Sequence, residues 1–373
     1  MRHLALGFPP WIIVAHWLNF LFMTLMARSG IEVLSNHPRL YWNDHSKIGS
    51  EWLRFTKRRF SDAHPFASTD EEEHFSPLVA LPGYASLGFG RYWHFASILG
   101  WLVVGVTYVT LLFSTSEWQR LVPVSWQIVP DAWSAAMSYL HGVLPPPGNS
   151  ADPGHPYNAL QQLVYAGVVF VLTPLQVLTG LAMSPAFAGR FPRYERLFGG
   201  RQAARSLHFL GLLAYGVFFV THLAMVLWHG FGHEMEKMVL GEAQPARPSL
   251  AAGIGCAIIA TVVLINIAVT LASLRRPRPT YRLLSSMVDP VMARTVHRLA
   301  SRQRYDGATL SRPHRMNGYP PLRCYPEAYD ETGEYERLLA GGFADWRLHI
   351  HGLVRRPLSL SLADLRELSY EAH

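Results

Sequence analysis

Histidines at two positions interrupt a long apolar stretch of the chain. His208 and His222 belong to residues 205–230, a segment that is otherwise almost wholly apolar. Two more histidines, His16 and His94, lie in other apolar stretches. An imidazole can bind a metal or relay a proton, and an ionisable side chain in a membrane helix usually has a function or a polar partner. These four residues are therefore candidates for metal ligation or proton transfer.

The spacing of the two histidines in the same stretch places them on one helix face. His208 and His222 are fourteen residues apart, which in an α-helix is a rise of about 21 Å and nearly four complete turns. Both side chains therefore project in almost the same direction at two different depths. One small metal ion cannot bind both of them. Two cofactors at different depths can, provided that each has a second ligand from another helix.

Five apolar runs are long enough to cross a bilayer as helices, which takes about 20 residues. They are residues 11–27, 92–113, 160–183, 205–228 and 250–274. We number these the first to fifth spans, and Pro174 is expected to kink the third. The alternative, buried helices of a soluble core, is disfavoured because soluble folds rarely need five such runs.

The antiparallel order of consecutive spans determines which histidines share a depth. His16 and His94 lie near the starts of the first and second spans, and so at opposite sides of the membrane. The fourth span runs parallel to the second, which places His208 level with His94 and His222 level with His16. The sequence thus predicts two cross-helix pairs, each able to hold a haem iron between two neutral imidazoles. An interhelical hydrogen bond explains any one histidine equally well, but the set of four favours ligation.

Arginine precedes two of the candidate ligands by three residues. Arg91 stands in the sequence RYWH and Arg205 in RSLH, each one turn before its histidine on the same helix face. The propionate groups of haem favour arginine at the membrane boundary. Arg91 and Arg205 are therefore candidates for cofactor binding, although anchoring of positively charged helix ends explains them equally well.

The composition is that of a membrane protein. Half of the 373 residues are hydrophobic and 16% are charged, whereas soluble domains have about 25% charged residues. The formal net charge of +7 is unevenly distributed, so it informs membrane topology and does not indicate a nucleic-acid partner. The two cysteines, Cys256 and Cys324, lie in an apolar run and a polar tail, and no disulfide is expected between them. The absence of a C-x-x-C-H motif excludes covalently attached c-type haem.

Clustered basic residues lie on one side of the predicted bundle, within residues 28–91, 190–205 and 275–282. The basic residues on the opposite side are few: Arg2, Arg120, Lys237 and Arg247. The positive-inside rule therefore predicts an N-terminus outside and a C-terminal tail in the cytoplasm of a multi-pass inner-membrane protein. The acidic run at residues 70–73 is expected to be a solvated loop.

The chain divides into three parts. Residues 1–274 form the membrane domain, in which residues 130–144 are expected to be an amphipathic interfacial helix. Residues 275–341 are polar and rich in Arg and Pro, which indicates a cytoplasmic linker. Residues 342–373 alternate like a strand, turn near Pro357 and then favour a short helix from about Leu362.

Two further histidines, His229 and His233, are four residues apart in HGFGHE, where two glycines favour a surface loop over a helical metal site. His229 follows His222 by seven residues, which makes it a possible substitute ligand nearer the interface.

The sequence resembles the bacterial b-type cytochromes of the nickel-hydrogenase and formate-dehydrogenase cytochrome subunit kind. The resemblance covers about residues 8–230 and rests on AHW followed by SG in the first span, RYWHF in the second, and H-x13-H in the fourth. It implies two b haems held by the four histidines, and electron transfer between a redox partner and the membrane quinone pool. The fifth span, the long connections and the expected orientation depart from that pattern.

The C-terminal sequence FADWRLHIHGLVRRPLSLSLADLREL resembles the opening of the sulfite-oxidase-like molybdopterin-binding domain. Such domains bind their metal through a cysteine further along, and Cys324 precedes the matching segment. The resemblance therefore implies a truncated beginning of that domain, without enough residues to bind molybdopterin.

The fold class that these observations favour is an all-α membrane protein. It is a transmembrane helical bundle of about five spans around a haem-binding four-helix core, with a short mixed extension at the C-terminus. The function expected is electron transfer through two b haems, as a component of an oxidoreductase and not as a complete catalyst. Its expected partners are membrane lipid, quinone and a redox protein such as a molybdenum oxidoreductase. The alternatives are a transporter or proton channel that uses histidine relays, and a passive anchor for the tail.

Overall fold

The protein is mainly helical in its computed structural model, which confirms the all-α membrane class. The structure describes residues 7–44, 46, 49–59, 71–184, 187, 190–241, 246–298, 337–338, 340–350 and 356–367. Cys324 and most of the segment before the C-terminal extension lie outside these residues.

Five helices in the described residues are long and apolar enough to cross a membrane, and they coincide with the five predicted spans. They are Pro10–Ser35, Leu87–Ser114, Ala159–Ala182, Arg201–Trp228 and Pro248–Arg275. Most extend several residues beyond the predicted apolar core. A proline at the first helical position, as at Pro10 and Pro248, begins a helix without loss of a backbone hydrogen bond.

The third span contains a local irregularity where a kink is predicted. It is α-helical over Ala159–Gly167, forms a π-helical turn over Val168–Leu172, and returns to α-helix over Thr173–Ala182. Pro174 lies two residues after the end of the π turn. Because proline lacks the backbone N–H that an α-helix needs, the wider turn before it adapts the hydrogen-bond pattern to the missing donor.

The spans pack as two helical hairpins. The first span lies along the second, the end of the third lies along the fourth, and the fifth packs against the first. Arg28 fixes the last of these contacts: its guanidinium donates to the side chains of Asn266 at 3.1 Å and Thr270 at 2.8 Å. It also donates to the carbonyl of Pro77 at 2.6 Å, which joins the connecting segment to both helices.

The connections contain short elements of their own. Strands Arg39–Leu40 and Leu53–Arg54 pair antiparallel between the first and second spans. The interfacial helix, predicted at residues 130–144, is confirmed and runs over Ile128–Leu140. It packs through Ile128 and Ala132 against Ala159 at the start of the third span, so one of its faces is covered by the bundle.

A further helix follows the fifth span within the segment predicted as a linker. We call Pro277–Met292 the surface helix, and a π-helical turn over Ala293–His297 extends it. Its buried side chains Leu284 and Val288 pack on Ala96 of the second span. The Tyr92 hydroxyl lies 2.9 Å from the Asp289 carboxylate. The first part of the Arg/Pro-rich segment is thus docked on the membrane bundle.

The C-terminal extension has the order of elements that the sequence predicts. Strands Arg347–Ile350 and Leu358–Ser361 form an antiparallel pair, and helix Leu362–Glu367 follows at once. Ser361 caps this helix, because its hydroxyl oxygen accepts from the Asp364 backbone N–H at 3.1 Å. The Asp364 carboxylate in turn accepts from the Ser361 backbone N–H at 2.7 Å.

Replacement of Leu284 tests the docking of the surface helix. Leu284 is 2% exposed, so Leu284→Ala removes buried apolar contact with the second span. Such truncations cost about 2 kcal/mol or more, which corresponds to a roughly 30-fold larger undocked fraction. We expect trypsin to cleave near Arg282 correspondingly faster. Leu283→Ala is the matched control, because the adjacent Leu283 is 62% exposed; equal cleavage of the two variants would contradict the docked arrangement.

Candidate functional site

The four histidines predicted from the sequence meet in two pairs. His16 of the first span faces His222 of the fourth, with ring centroids 6.2 Å apart and ring planes at 56°. His94 of the second span faces His208 of the fourth, at 6.4 Å and 71°. The structure therefore brings together the same partners that the order of the spans predicts.

The separation within each pair fits two imidazoles bound to one metal. A metal–imidazole bond is about 2 Å long and a ring nitrogen lies about 1 Å from its centroid, so two ligands on opposite sides have centroids about 6 Å apart. Among the described residues there is no group of three or more His, Cys, Asp or Glu side chains that could hold a metal ion. Haem needs no such group, because its porphyrin supplies the remaining ligands. The donor set thus fits haem and does not fit a metal held by protein side chains alone.

His94 is oriented by the first span. Its Nδ1 lies 3.2 Å from the Met26 carbonyl and 3.2 Å from the Ser29 hydroxyl oxygen. A carbonyl can only accept, so Nδ1 carries the hydrogen and Nε2 keeps its lone pair. This is the tautomer that an Nε2 metal ligand requires.

His208 is oriented in the same way by the third span. Its Nδ1 lies 3.0 Å from the Thr179 hydroxyl oxygen, and that hydroxyl donates to the Leu175 carbonyl at 2.7 Å. Because the hydroxyl hydrogen is already directed at a carbonyl, the Thr179 oxygen accepts from His208 Nδ1–H. The Nε2 lone pair of His208 is again left for a ligand bond.

A glycine follows each of these hydroxyl residues. A Cβ at Gly30 would lie 3.6 Å from Cε1 of His94, and one at Gly180 would lie 3.7 Å from Cε1 of His208. Both distances are ordinary van der Waals contacts, so each glycine lies directly against a histidine ring. Each hairpin thus places a glycine beside a histidine: Gly30 beside His94, and Gly180 beside His208.

The pair of His16 and His222 has a different environment. His222 stacks on Phe218 with centroids 5.7 Å apart at 18°, and the edge of Tyr165 lies 6.4 Å away. His16 Nδ1 is buried and has no hydrogen-bond partner in the described part of the chain. A ligand bond through Nε2 would leave this Nδ1 unpaired, so the His16 ring lacks the outer hydrogen bond that His94 and His208 have.

Arg91 and Arg205 occupy unlike positions. Arg205 is oriented towards the segment that follows the first span, and its guanidinium donates to the carbonyls of His37 and, at 2.9 Å, Arg39. Arg91 is exposed at the start of the second span. Binding of haem propionates by these two arginines stays a prediction.

A buried ion pair lies beside Arg205. Arg39 and Glu71 are 3.6 Å apart, with side chains 1% and 0% exposed. Burial raises the pKa of Glu71 to about 7, against the opposing effect of the Arg39 and Arg205 charges. Burial, together with the nearby Arg205 charge, lowers the pKa of His37 to about 4. The assignment of the acidic run 70–73 to a solvated loop is therefore wrong for Glu71, whose local sequence does not distinguish it from its acidic neighbours.

The histidines after the fourth span lie outside both pairs. His229 caps that span, and its Nδ1 lies 2.8 Å from the Met225 carbonyl. His233 lies in the short helix Phe231–Met235, 3.6 Å from the Glu236 carboxylate. The loop prediction is wrong for His233, because this segment folds as a helix against the fifth span.

Comparisons with known proteins agree with the geometry. A family model described as prokaryotic cytochrome b561 matches residues 7–241, which include both histidine pairs. The chain is also 32% identical over 221 residues to a protein of Azospira oryzae named putative protein-methionine-sulfoxide reductase subunit YedZ1. That alignment covers 58% of this chain and 88% of the relative. No solved structure matches.

Burial of Glu71 predicts a pH dependence of stability. A raised pKa means that the folded protein binds more protons than the unfolded chain between about pH 4.5 and about pH 7. Glu71 therefore contributes stability that is lost as pH rises through this window, whereas the lowered pKa of His37 acts in the opposite direction. The unfolding temperature of the detergent-solubilised wild type, measured relative to that of Glu71→Gln, should therefore fall as pH rises. Glu72→Gln, at a partly exposed neighbour, is the control. A Glu71→Gln profile parallel to that of the wild type would show that Glu71 does not contribute.

Proposed function

We propose that this chain, which belongs to the prokaryotic cytochrome b561 family, binds two b haems, one at each histidine pair. As a member of that family it is a membrane b-type cytochrome that transfers electrons. The pair of His16 and His222 would hold one haem, and the pair of His94 and His208 would hold the other. The observation that carries this proposal is the meeting of three spans in two facing imidazole pairs at ligand distance.

The fourth span connects the two proposed haem sites. His208 and His222 project from one face of Arg201–Trp228, fourteen residues apart, which is about 21 Å along the helix. A bound b haem supplies an iron that exchanges one electron between its ferrous and ferric forms. The chain holds the ligands at fixed depths and surrounds them with apolar and aromatic side chains.

We further propose a reductase partner at one side and membrane quinone as the electron donor. The relative from Azospira oryzae is named as a subunit of a protein-methionine-sulfoxide reductase. By analogy with that name, this chain would be the membrane cytochrome, and a separate oxidoreductase would receive its electrons. The C-terminal extension, with its resemblance to a molybdopterin-binding domain, supports a molybdenum oxidoreductase as the partner class.

The orientation proposed from the basic residues puts the tail on the cytoplasmic side. The fifth span ends on the side where the second and fourth spans begin. His94 and His208 therefore lie nearer to the tail side, together with the buried Arg39 and the partly buried Arg205. The positive-inside rule assigns this side to the cytoplasm.

Absorption spectroscopy of single histidine variants tests the two-haem proposal. The purified wild type should show b-type bands in its reduced-minus-oxidised spectrum. His208→Ala and His222→Ala should each lower the haem content by about half, because each residue belongs to a different pair. His141→Ala is the control, since His141 is exposed at the end of the interfacial helix, and it should retain the full content.

Three outcomes would contradict the proposal. A colourless wild type would favour a histidine relay or a passive anchor. Loss of both haems, or of neither, in each single variant would contradict the arrangement at two depths.

A further inference from the structure

The first and third spans each place a hydroxyl residue and a glycine beside a histidine of the next span. Ser29-Gly30 in the first span contacts His94, and Thr179-Gly180 in the third span contacts His208. Both hydroxyl side chains are 0% exposed. Each donates its hydrogen to the carbonyl four residues earlier, at 2.7 Å, so each oxygen is presented to a histidine as an acceptor.

A hydrogen bond to the Ser29 or Thr179 hydroxyl oxygen changes the electron density of the histidine ring that donates it. An Nδ1–H that donates to a fixed acceptor makes the imidazole a stronger electron donor through Nε2. A stronger donor stabilises ferric over ferrous iron, and so lowers the reduction potential. Hydrogen bonding by such outer partners is one of the ways by which a protein adjusts a haem.

We propose that Ser29 and Thr179 are positioning residues that lower the potential of the haem held by His94 and His208 relative to the other haem. This inference rests on the proposed function. The second pair offers the contrast, because His16 Nδ1 has no hydrogen-bond partner among the described residues. His222 has aromatic neighbours in place of a hydroxyl group. The same ligand type is therefore placed in a polar setting at one depth and an aromatic setting at the other.

The two hydroxyl groups have matching settings. His94 Nδ1 has a second acceptor, the Met26 carbonyl at 3.2 Å. The His208 ring likewise has a second partner in the backbone of Gln176. Loss of Thr179 or of Ser29 therefore removes one of two interactions at its histidine.

Potentiometric titration of the purified, haem-loaded full chain tests the proposal. Thr179→Val should raise the midpoint potential of one of the two haems and leave the other unchanged. Ser29→Ala should raise the potential of the same haem by a similar amount. Thr179→Ser keeps the hydroxyl and should restore the wild-type value. Thr261→Val is the matched control, because the Thr261 hydroxyl makes the same bond to a carbonyl four residues earlier, in the fifth span, away from the histidines.

The haem that shifts is identified in a His222→Ala background, where only the site of His94 and His208 remains. A Thr179→Val shift no larger than that of Thr261→Val would overturn the proposal, as would an equal shift of both haems. If Thr179→Val loses one haem, recovery in Thr179→Ser supports the hydroxyl role, and loss in both variants overturns it. A wild type without haem would instead refute the proposed function itself, so the two failures are distinguishable.

Discussion

The arrangement of the bundle depends on the need of a buried imidazole for partners at both of its ring nitrogens. An imidazole in an apolar helix bundle has no water to satisfy it, and an unpaired polar atom there is costly. At His94 and His208 a neighbouring helix satisfies Nδ1, and the facing histidine lies where a shared metal would satisfy Nε2. One requirement thus fixes the helix contacts, the tautomers and the separation of the ligands.

The same principle governs the arginines at the edge of the bundle. Arg28 is bonded to the side chains of Asn266 and Thr270 and to backbone carbonyls of the connection. Arg205 is bonded to the carbonyls of His37 and Arg39. Each cation is held by a fixed set of oxygen atoms, as a guanidinium near a membrane requires. Arg28 and Arg205 thus hold the segment between the first and second spans against the bundle. They stabilise the side on which His94 and His208 lie.

The two histidine pairs lie in different surroundings. One pair is held by buried hydroxyl groups near a cluster of charged residues, and the other is surrounded by Phe218, Tyr165 and further aromatic rings. Two sites with identical ligands in unlike settings are a means of giving two electron carriers different potentials.

The sequence by itself determined the five spans, the four histidines and their pairing. Hydrophobic length identifies a membrane helix, and antiparallel order with a fourteen-residue spacing leaves one consistent set of depths. Only the tertiary structure decided what surrounds the pairs. No local sequence pattern distinguishes Ser29, Thr179 or Glu71. Their roles come from contacts with residues that are distant in sequence. The helical conformation of residues 277–292 likewise depends on a packing partner, Ala96 in the second span, which periodicity within the segment does not reveal.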